Sequence, residues 1–476
     1  MLEKINTLAT IAQRLEPSQE DRDHWVKVMH EYANAFLNEL PEKPAYEEEP
    51  QVPSLPDLES GGKSMEELIE FVNNTIDSTG INPASPKHFG YIPGGGLYTT
   101  ALGDYLVAVS NRYAGMFFAN PGAVRIENQL LRWMCEMIGY PDTALGNLTS
   151  GGSIANLMAV TTARDHFRLK ATEFSKACIY LSEQVHHCVQ KATRIAGMRE
   201  APIRYIPLDE NYKMKVDELR KQIEKDIAAG YRPFLLVASA GTTDTGAIDP
   251  LDELADVATE FNMWYHIDAA YGGFFVLVDD LKEKFKGIER SDSLTIDPHK
   301  GFFISYGLGA FLVRNVETLF KSQFYTAGYL QDALGENQEL SPADLSPELT
   351  KHFRGLRMWM SMQLLGIEPI KAALEEKALL TQYFYEKVQE LGFQVGPFPE
   401  LSVMIYRYVP EDGGSANTFN EALVAFIRKD GRIFLSSTTI EGVYWIRMAV
   451  LSFRTHLKEV DLCLDILKEG LEYLKS

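Results

Sequence analysis

Ser293-Leu294-Thr295-Ile296-Asp297-Pro298-His299-Lys300-Gly301 is the stretch whose reading decides the fold. Leu294–Ile296 is a short apolar run with the length of a buried strand, and a lysine follows it almost at once. Lysine is rarely interior unless it is paired or functional. Partial burial lowers an amine's pKa and leaves a neutral nucleophile able to form a Schiff base. Taken alone, the segment is equally well explained by a lysine in a surface loop.

Similar runs lie on either side. Ala177–Leu181, Phe234–Ala238, Met263–Ile267 and Gly309–Val313 are short, continuous and apolar, and helical stretches separate them. Such strands, apolar on both faces, indicate a largely parallel sheet covered by helices on both sides. This α/β region spans about 85–366. Before it, residues 1–84 hold a helix with Trp25, Val28, Met29, Tyr32, Ala33, Phe36, Leu37 and Leu40 on one stripe. Ser18 and Asp21 mark the start of that helix, and a linker with Pro41, Pro44, Pro50, Pro53 and Pro56 follows it. After the α/β region, 367–476 reads as a smaller α+β domain with strands at Val403–Tyr408 and Tyr444–Val450 and helices at Asn417–Arg428 and Leu457–Leu474.

Three further segments sit at strand ends or helix starts, where open α/β sheets bind ligands. Thr149-Ser150-Gly151-Gly152-Ser153 opens a helix, and its glycines let free N–H groups approach a phosphate; a Ser/Gly cap without ligand is the plainer alternative. Ser182–His187 places His186 where it could stack on an aromatic ring, although a polar cap would look the same. Trp264–Gly273 ends an apolar strand on Asp268. A buried carboxylate needs a partner. A protonated pyridine nitrogen would serve, and so would a structural arginine.

With 476 residues, 45% hydrophobic and 24% charged, the chain is long enough for two or three packed subdomains. A net charge of -20 opposes nucleic-acid and anionic-membrane surfaces. The four cysteines, Cys135, Cys178, Cys188 and Cys463, have no metal-ligand spacing. No metal is therefore expected, and a reduced, cytoplasmic setting without signal peptide or membrane span is.

Together the segments SGGSIAN, SEQVHH, GTTDTGAIDP, HIDAAYGG and DPHKG resemble, in order and spacing, the group II pyridoxal 5′-phosphate (PLP) dependent decarboxylases, which include aromatic-L-amino-acid and glutamate decarboxylases. The resemblance runs from Gly90–Gly96 to the C-terminal domain. It implies the aspartate-aminotransferase-like fold (fold type I), with a large seven-stranded, mostly parallel sheet, and a homodimer with shared active sites. It also implies that Lys300 holds the cofactor, Asp268 pairs with the ring nitrogen and His186 stacks on the ring. Gly151, Gly152, Ser153 and His299 would hold the phosphate, with Thr243 and Ala270 beside the ring.

The resemblance further implies decarboxylation of an L-amino acid, with a loop tyrosine returning a proton to the α-carbon. Near the expected place, Asp344-Leu345-Ser346-Pro347, the chain has no tyrosine. Tyr329, with Tyr325 before it, is the nearest candidate. A changed donor would favour oxidative deamination to an aldehyde, or transamination. Tyr91, Ile92, Pro93, Tyr113, Met116, Phe117 and Phe302 form the expected substrate wall, with the Arg112–Phe117 stretch coming from a second subunit. This apolar and aromatic set suits an aromatic side chain better than an acidic one.

Overall fold

The computed structural model describes residues 1–48, 54–55, 57–58, 62–325 and 339–476. The chain begins with the helices Leu2–Ala12 and Gln19–Glu39. Ser18 Oγ accepts from the Asp21 backbone N–H at 3.1 Å, and Asp21 Oδ2 accepts from the Ser18 N–H at 3.1 Å. That reciprocal cap starts the second helix where the sequence places it. Leu40, just past its end, is buried, while the rest of its apolar stripe stays at least partly exposed within the chain.

The large sheet contains β1 (Leu145–Thr149), β2 (Ala177–Leu181), β3 (Ile203–Tyr205), β4 (Arg232–Ser239), β5 (Trp264–Asp268), β6 (Ser293–Ile296) and β7 (Gly309–Val313), in the spatial order β1-β7-β6-β5-β4-β2-β3. Only β7 runs against the rest, pairing antiparallel with β1 and β6. Five of these strands were legible as apolar runs. β1 was not, because Gly146 and Asn147 are poor strand formers. Tertiary contacts require both residues: a Cβ on Gly146 would lie 2.0 Å from Phe311 O. Asn147 Nδ2 donates to Pro342 O at 2.9 Å. The edge strand β3 has three residues, too few to show a period.

A second sheet, fully antiparallel in the order β8-β9-β11-β10, contains β8 (Phe393–Val395), β9 (Val403–Tyr408), β10 (Ser436–Ile440) and β11 (Val443–Ala449). Phe384, Met404, Tyr406, Leu423, Ile446 and Cys463 form its core with the helices Glu368–Glu390, Ala416–Asp430 and Leu457–Lys475. The polar run Ser436-Ser437-Thr438-Thr439 hid β10 from a reading based on hydrophobic alternation. All four cysteines are free and buried. Among the described residues no helix is long and apolar enough to cross a membrane.

Residues 339–354 are fastened to the body of the large domain. Lys351 Nζ lies 2.7 Å from Glu127 Oε2, with both side chains fully buried. Asn128 Nδ2 donates to Glu339 Oε2 at 2.9 Å. Tyr329 lies outside the described residues. Tyr325 is 86% exposed.

His88, at the start of the large domain, joins it to the small domain, stacking on Phe434 with ring centroids 5.3 Å apart. Burial lowers its pKa from 6.5 to about 4. The unfolded chain therefore binds more protons between these values, so the stability from a neutral His88 is full above about pH 6.5 and is lost as pH falls toward 4. In urea titrations across that window, His88→Phe is expected to flatten the stability slope by up to about 1.4 kcal/mol per pH unit. An unchanged slope would show that His88 contributes nothing to it.

Candidate active site

In a parallel sheet, strand carboxyl ends share one edge, so the loops leaving them meet. Here β1 delivers Ser150–Ser153, β2 delivers Gln184 and His186, β4 delivers Gly241–Thr243, β5 ends on Asp268, and β6 leads into Asp297–Lys300. These residues line one cavity of about 290 Å3. Lys300, Asp268, His186, Gly151, Gly152, Ser153, Thr243, Ala270 and His299, widely separated in sequence, all belong to that lining.

The rim on the β1 side is the start of helix Gly152–His166. Gly151 adopts φ 151°, and a Cβ there would sit 3.3 Å from His299 Cε1. Because β7 runs antiparallel, it begins at the same edge. A Cβ on Gly309 would lie 2.6 Å from Gly151 Cα, so both positions need glycine for backbone to meet backbone. His299 Nδ1 lies 2.6 Å from Leu308 O and donates to it, which leaves Nε2 on the other side of the ring, 3.7 Å from Asp297 Oδ2. The free N–H groups and dipole of the helix start make this rim suited to an anion.

Opposite the rim, Asp268 is 8% exposed. Its Oδ1 accepts from the Ala270 N–H at 3.1 Å and its Oδ2 from Asn156 Nδ2 at 3.2 Å. No cation among the described residues pairs with it. A buried carboxylate in that condition costs several kcal/mol unless a positive group meets it, and the open side of this one faces the cavity. His186 is fixed by the Cys188 N–H, which donates to Nδ1 at 3.3 Å. Burial lowers the His186 pKa and favours the neutral ring. Lys300 Nζ lies 3.3 Å from Asp297 Oδ2.

An anion cradle, an uncompensated carboxylate, a flat imidazole and a primary amine within one cavity match the parts of PLP: phosphate, ring nitrogen, ring face and aldehyde. The residues present fit the cofactor.

Among the lining residues given no role from the sequence are Asn156, Gln184, Cys188, Tyr271 and Asp297. Asp297 and Tyr271 stood inside the quoted motifs, where their proximity to Lys300 and Asp268 was the available signal. Asn156 and Gln184 also stood inside quoted motifs, SGGSIAN and SEQVHH, but nothing local in the sequence showed what either side chain meets.

The expected substrate wall separates into three groups. Tyr91, Ile92 and Pro93 adjoin the cavity: Arg447 donates from Nη2 to both Tyr91 O and Thr243 O, and a Cβ on Gly94 would lie 2.4 Å from His299 O. Phe302 is corrected to a core residue, fully buried against Trp133 and Phe274. Asp297, His299 and Lys300 line the cavity, and Phe302, beyond Gly301, turns away from it. Tyr113, Met116 and Phe117 line no part of it in this chain. The Tyr113 hydroxyl donates to Leu349 O at 3.0 Å, and the Phe117 N–H donates to Ser341 Oγ at 3.0 Å.

Three arginines, Arg354, Arg447 and Arg454, are engaged within the chain. Arg354 is bidentate to Glu348 at 2.9 and 3.0 Å. Arg447 and Arg454 donate chiefly to backbone carbonyls.

Residues 48–408 match the family model described as the pyridoxal-dependent decarboxylase conserved domain. An aromatic-L-amino-acid decarboxylase of Bacillus atrophaeus is 32% identical over 410 residues, 85% of this chain and 85% of the relative. A phenylacetaldehyde synthase of Arabidopsis thaliana is 26% identical over 426 residues, 87% of each chain. Among solved structures, Catharanthus roseus tryptophan decarboxylase in complex with L-tryptophan superposes with a TM-score of 0.87 at 24% identity, covering 96% of this chain and 99% of that one. That structural likeness establishes the fold type I architecture.

Borohydride treatment after incubation with PLP should leave the cofactor on the peptide containing Lys300, and Lys300→Ala should abolish the label. Gly151→Ala, which strains the backbone and crowds His299, should weaken cofactor affinity about tenfold by loss of one charged hydrogen bond's worth of energy. Labelling of another lysine, or unchanged affinity, would refute these assignments.

Proposed function

The chain belongs to the pyridoxal-dependent decarboxylases, enzymes that use PLP to remove a carboxylate from an amino acid, and we propose that its substrate is an aromatic L-amino acid released as the amine. One observation supports the choice of substrate: Tyr91, Ile92, Pro93, Tyr113, Met116 and Phe117, the residues expected to face it, are apolar or aromatic. An acidic side chain would need a cation of its own. The aromatic-amino-acid relative at 32% identity supports the same reading.

When bound, PLP supplies an electron sink for the pair left behind as carbon dioxide departs. The protein's work is to orient and to place protons. Asp268 keeps a proton on the ring nitrogen, because its own buried charge needs that partner. Neutral His186 presents a flat face without adding a second positive charge. The helix start at Gly151–Ser153 anchors the anionic end, which fixes the ring and so the direction in which the scissile bond is held. Lys300, guided by Asp297, is placed to receive and release the aldehyde carbon.

A second copy of the chain completes the site in this proposal. Leu2, Ile5, Leu8 and Ile11 are all more than half exposed, and Leu106 and Val109 of helix Tyr98–Ser110 are exposed as well. Such a face is stable when a homodimer covers it, and the partner would then bring its Arg112–Phe117 stretch to this cavity. The four free cysteines suit a reducing cytoplasmic compartment.

One observation favours a second reading. The segment 339–352 carries no tyrosine, and an aldehyde synthase stands among the relatives. Without a proton returned to the α-carbon, molecular oxygen can act as the oxidant, so that amino acid, oxygen and water give aldehyde, carbon dioxide, ammonia and hydrogen peroxide. Incubation with a panel of amino acids, following carbon dioxide, amine, ammonia and peroxide together, separates the readings. Amine and carbon dioxide from Tyr, Trp, Phe or 3,4-dihydroxyphenylalanine, without peroxide, is the expected result. Aldehyde, ammonia and peroxide would establish the second reading, and turnover of glutamate alone would overturn the aromatic assignment.

A further inference from the structure

Behind Asp268 a chain of buried polar groups leads away from the cavity into the sheet. Asn156 Nδ2 donates to Asp268 Oδ2 at 3.2 Å and to Gly152 O at 3.0 Å, with Cys188 Sγ 3.4 Å away. Asn156 Oδ1 lies 3.0 Å from His266 Nε2. His266 Nδ1 lies 2.9 Å from Ser293 Oγ, which also accepts from Trp264 Nε1 at 2.8 Å. Asn156, His266, Ser293 and Trp264 are each 3% exposed or less.

The hydrogen-bonding inventory allows this chain one arrangement. Asp268 and Gly152 O can only accept, so the amide nitrogen of Asn156 must face them and its oxygen must face His266. Nε2 of His266 therefore carries the proton, and Nδ1 accepts from the Ser293 hydroxyl. That is a neutral imidazole in a single tautomer, and burial, which lowers the His266 pKa to about 4, keeps it so. Flipping the amide would set Oδ1 against the Asp268 carboxylate and leave the His266 N–H only the longer contact to Thr295 Oγ1 at 3.4 Å, and both changes are costly in a buried site.

We propose that Asn156 and His266 are positioning residues for Asp268: the imidazole fixes the amide, and the amide fixes the carboxylate that meets the cofactor's ring nitrogen. Neither residue touches the reacting atoms. Ser293, at the start of β6, ties the arrangement to the same strand that leads to Lys300. The carboxylate and the amine thus share one rigid support. This role rests on reading the cavity as a PLP site.

The test uses Asn156→Leu, His266→Phe, their double variant and His266→Gln. Gln retains an N–H donor close to the place of Nε2. The measurements are the dissociation constant for PLP and the visible circular dichroism of the bound cofactor, with far-ultraviolet dichroism to confirm folding. Asn156→Leu and His266→Phe should each weaken PLP binding about tenfold and diminish the visible dichroic band. The double variant should lose little more than the worse single one, because both act through one carboxylate. His266→Gln should recover most of the affinity and the band.

Folded variants that bind PLP as the wild type does, with an unchanged band, would overturn the positioning role alone, as would additive losses. If His266→Phe does not fold, Asn156→Leu and His266→Gln carry the decision: a weakened Asn156→Leu beside a near-normal His266→Gln supports the role, and any other pattern rejects it. A wild-type chain that takes up no PLP would overturn the cofactor reading itself.

Discussion

A carboxylate buried at the end of a strand, with no cation beside it among the described residues, is the constraint on which the site depends. Asp268 is 8% exposed and keeps its charge company only with the Ala270 N–H and the Asn156 amide. Two hydrogen bonds do not offset the desolvation of a full charge. The fold tolerates the deficit because the carboxylate opens on a cavity, so a cationic ring nitrogen can supply what is missing. The site is therefore poised for a charged aromatic cofactor, and the tie between binding and catalysis is electrostatic.

The remaining elements follow from keeping that carboxylate and one amine in register. Parallel β5 and β6 lie side by side, with Asp268 paired to Thr295 in the ladder, and Lys300 follows one turn of chain later. The antiparallel β7 brings Gly309 against Gly151, pressing the anion cradle onto His299. Arg447, 2% exposed, crosses from the small domain to the carbonyls of Thr243 and Tyr91. Its removal would release two parts of the rim together. The small domain thus acts on the cavity through backbone groups and contributes no side chain to the lining.

The chemistry of this site separates into a cofactor-facing half, whose residues gather in one cavity of a single chain, and a substrate-facing half, which in the proposed function a second copy of the chain would complete. The first half is small and polar. The aromatic groups expected to meet a substrate lie at Tyr91, on the rim, and at Tyr113–Phe117, which face the segment 341–349 of the same chain. Such a division lets a common electron-sink chemistry stay constant while side-chain choice and proton return vary at a separate surface.

The amino-acid sequence by itself determined the cofactor-binding half, because each motif there is local: a glycine pair that opens a helix, an aspartate closing an apolar strand, a lysine just after another. Most strands of the large sheet were legible for the same reason, since burial on both faces makes them continuously apolar. What only tertiary structure decided were residues whose reason for being there lies far away in the chain. Gly146 is needed for contact with Phe311, and Asn156 is chosen by an aspartate 112 positions on. Phe302, near Lys300 in sequence, turns instead into the core against Trp133. Period and composition report which face of an element is apolar; they carry no record of which distant group a single polar or small side chain must meet.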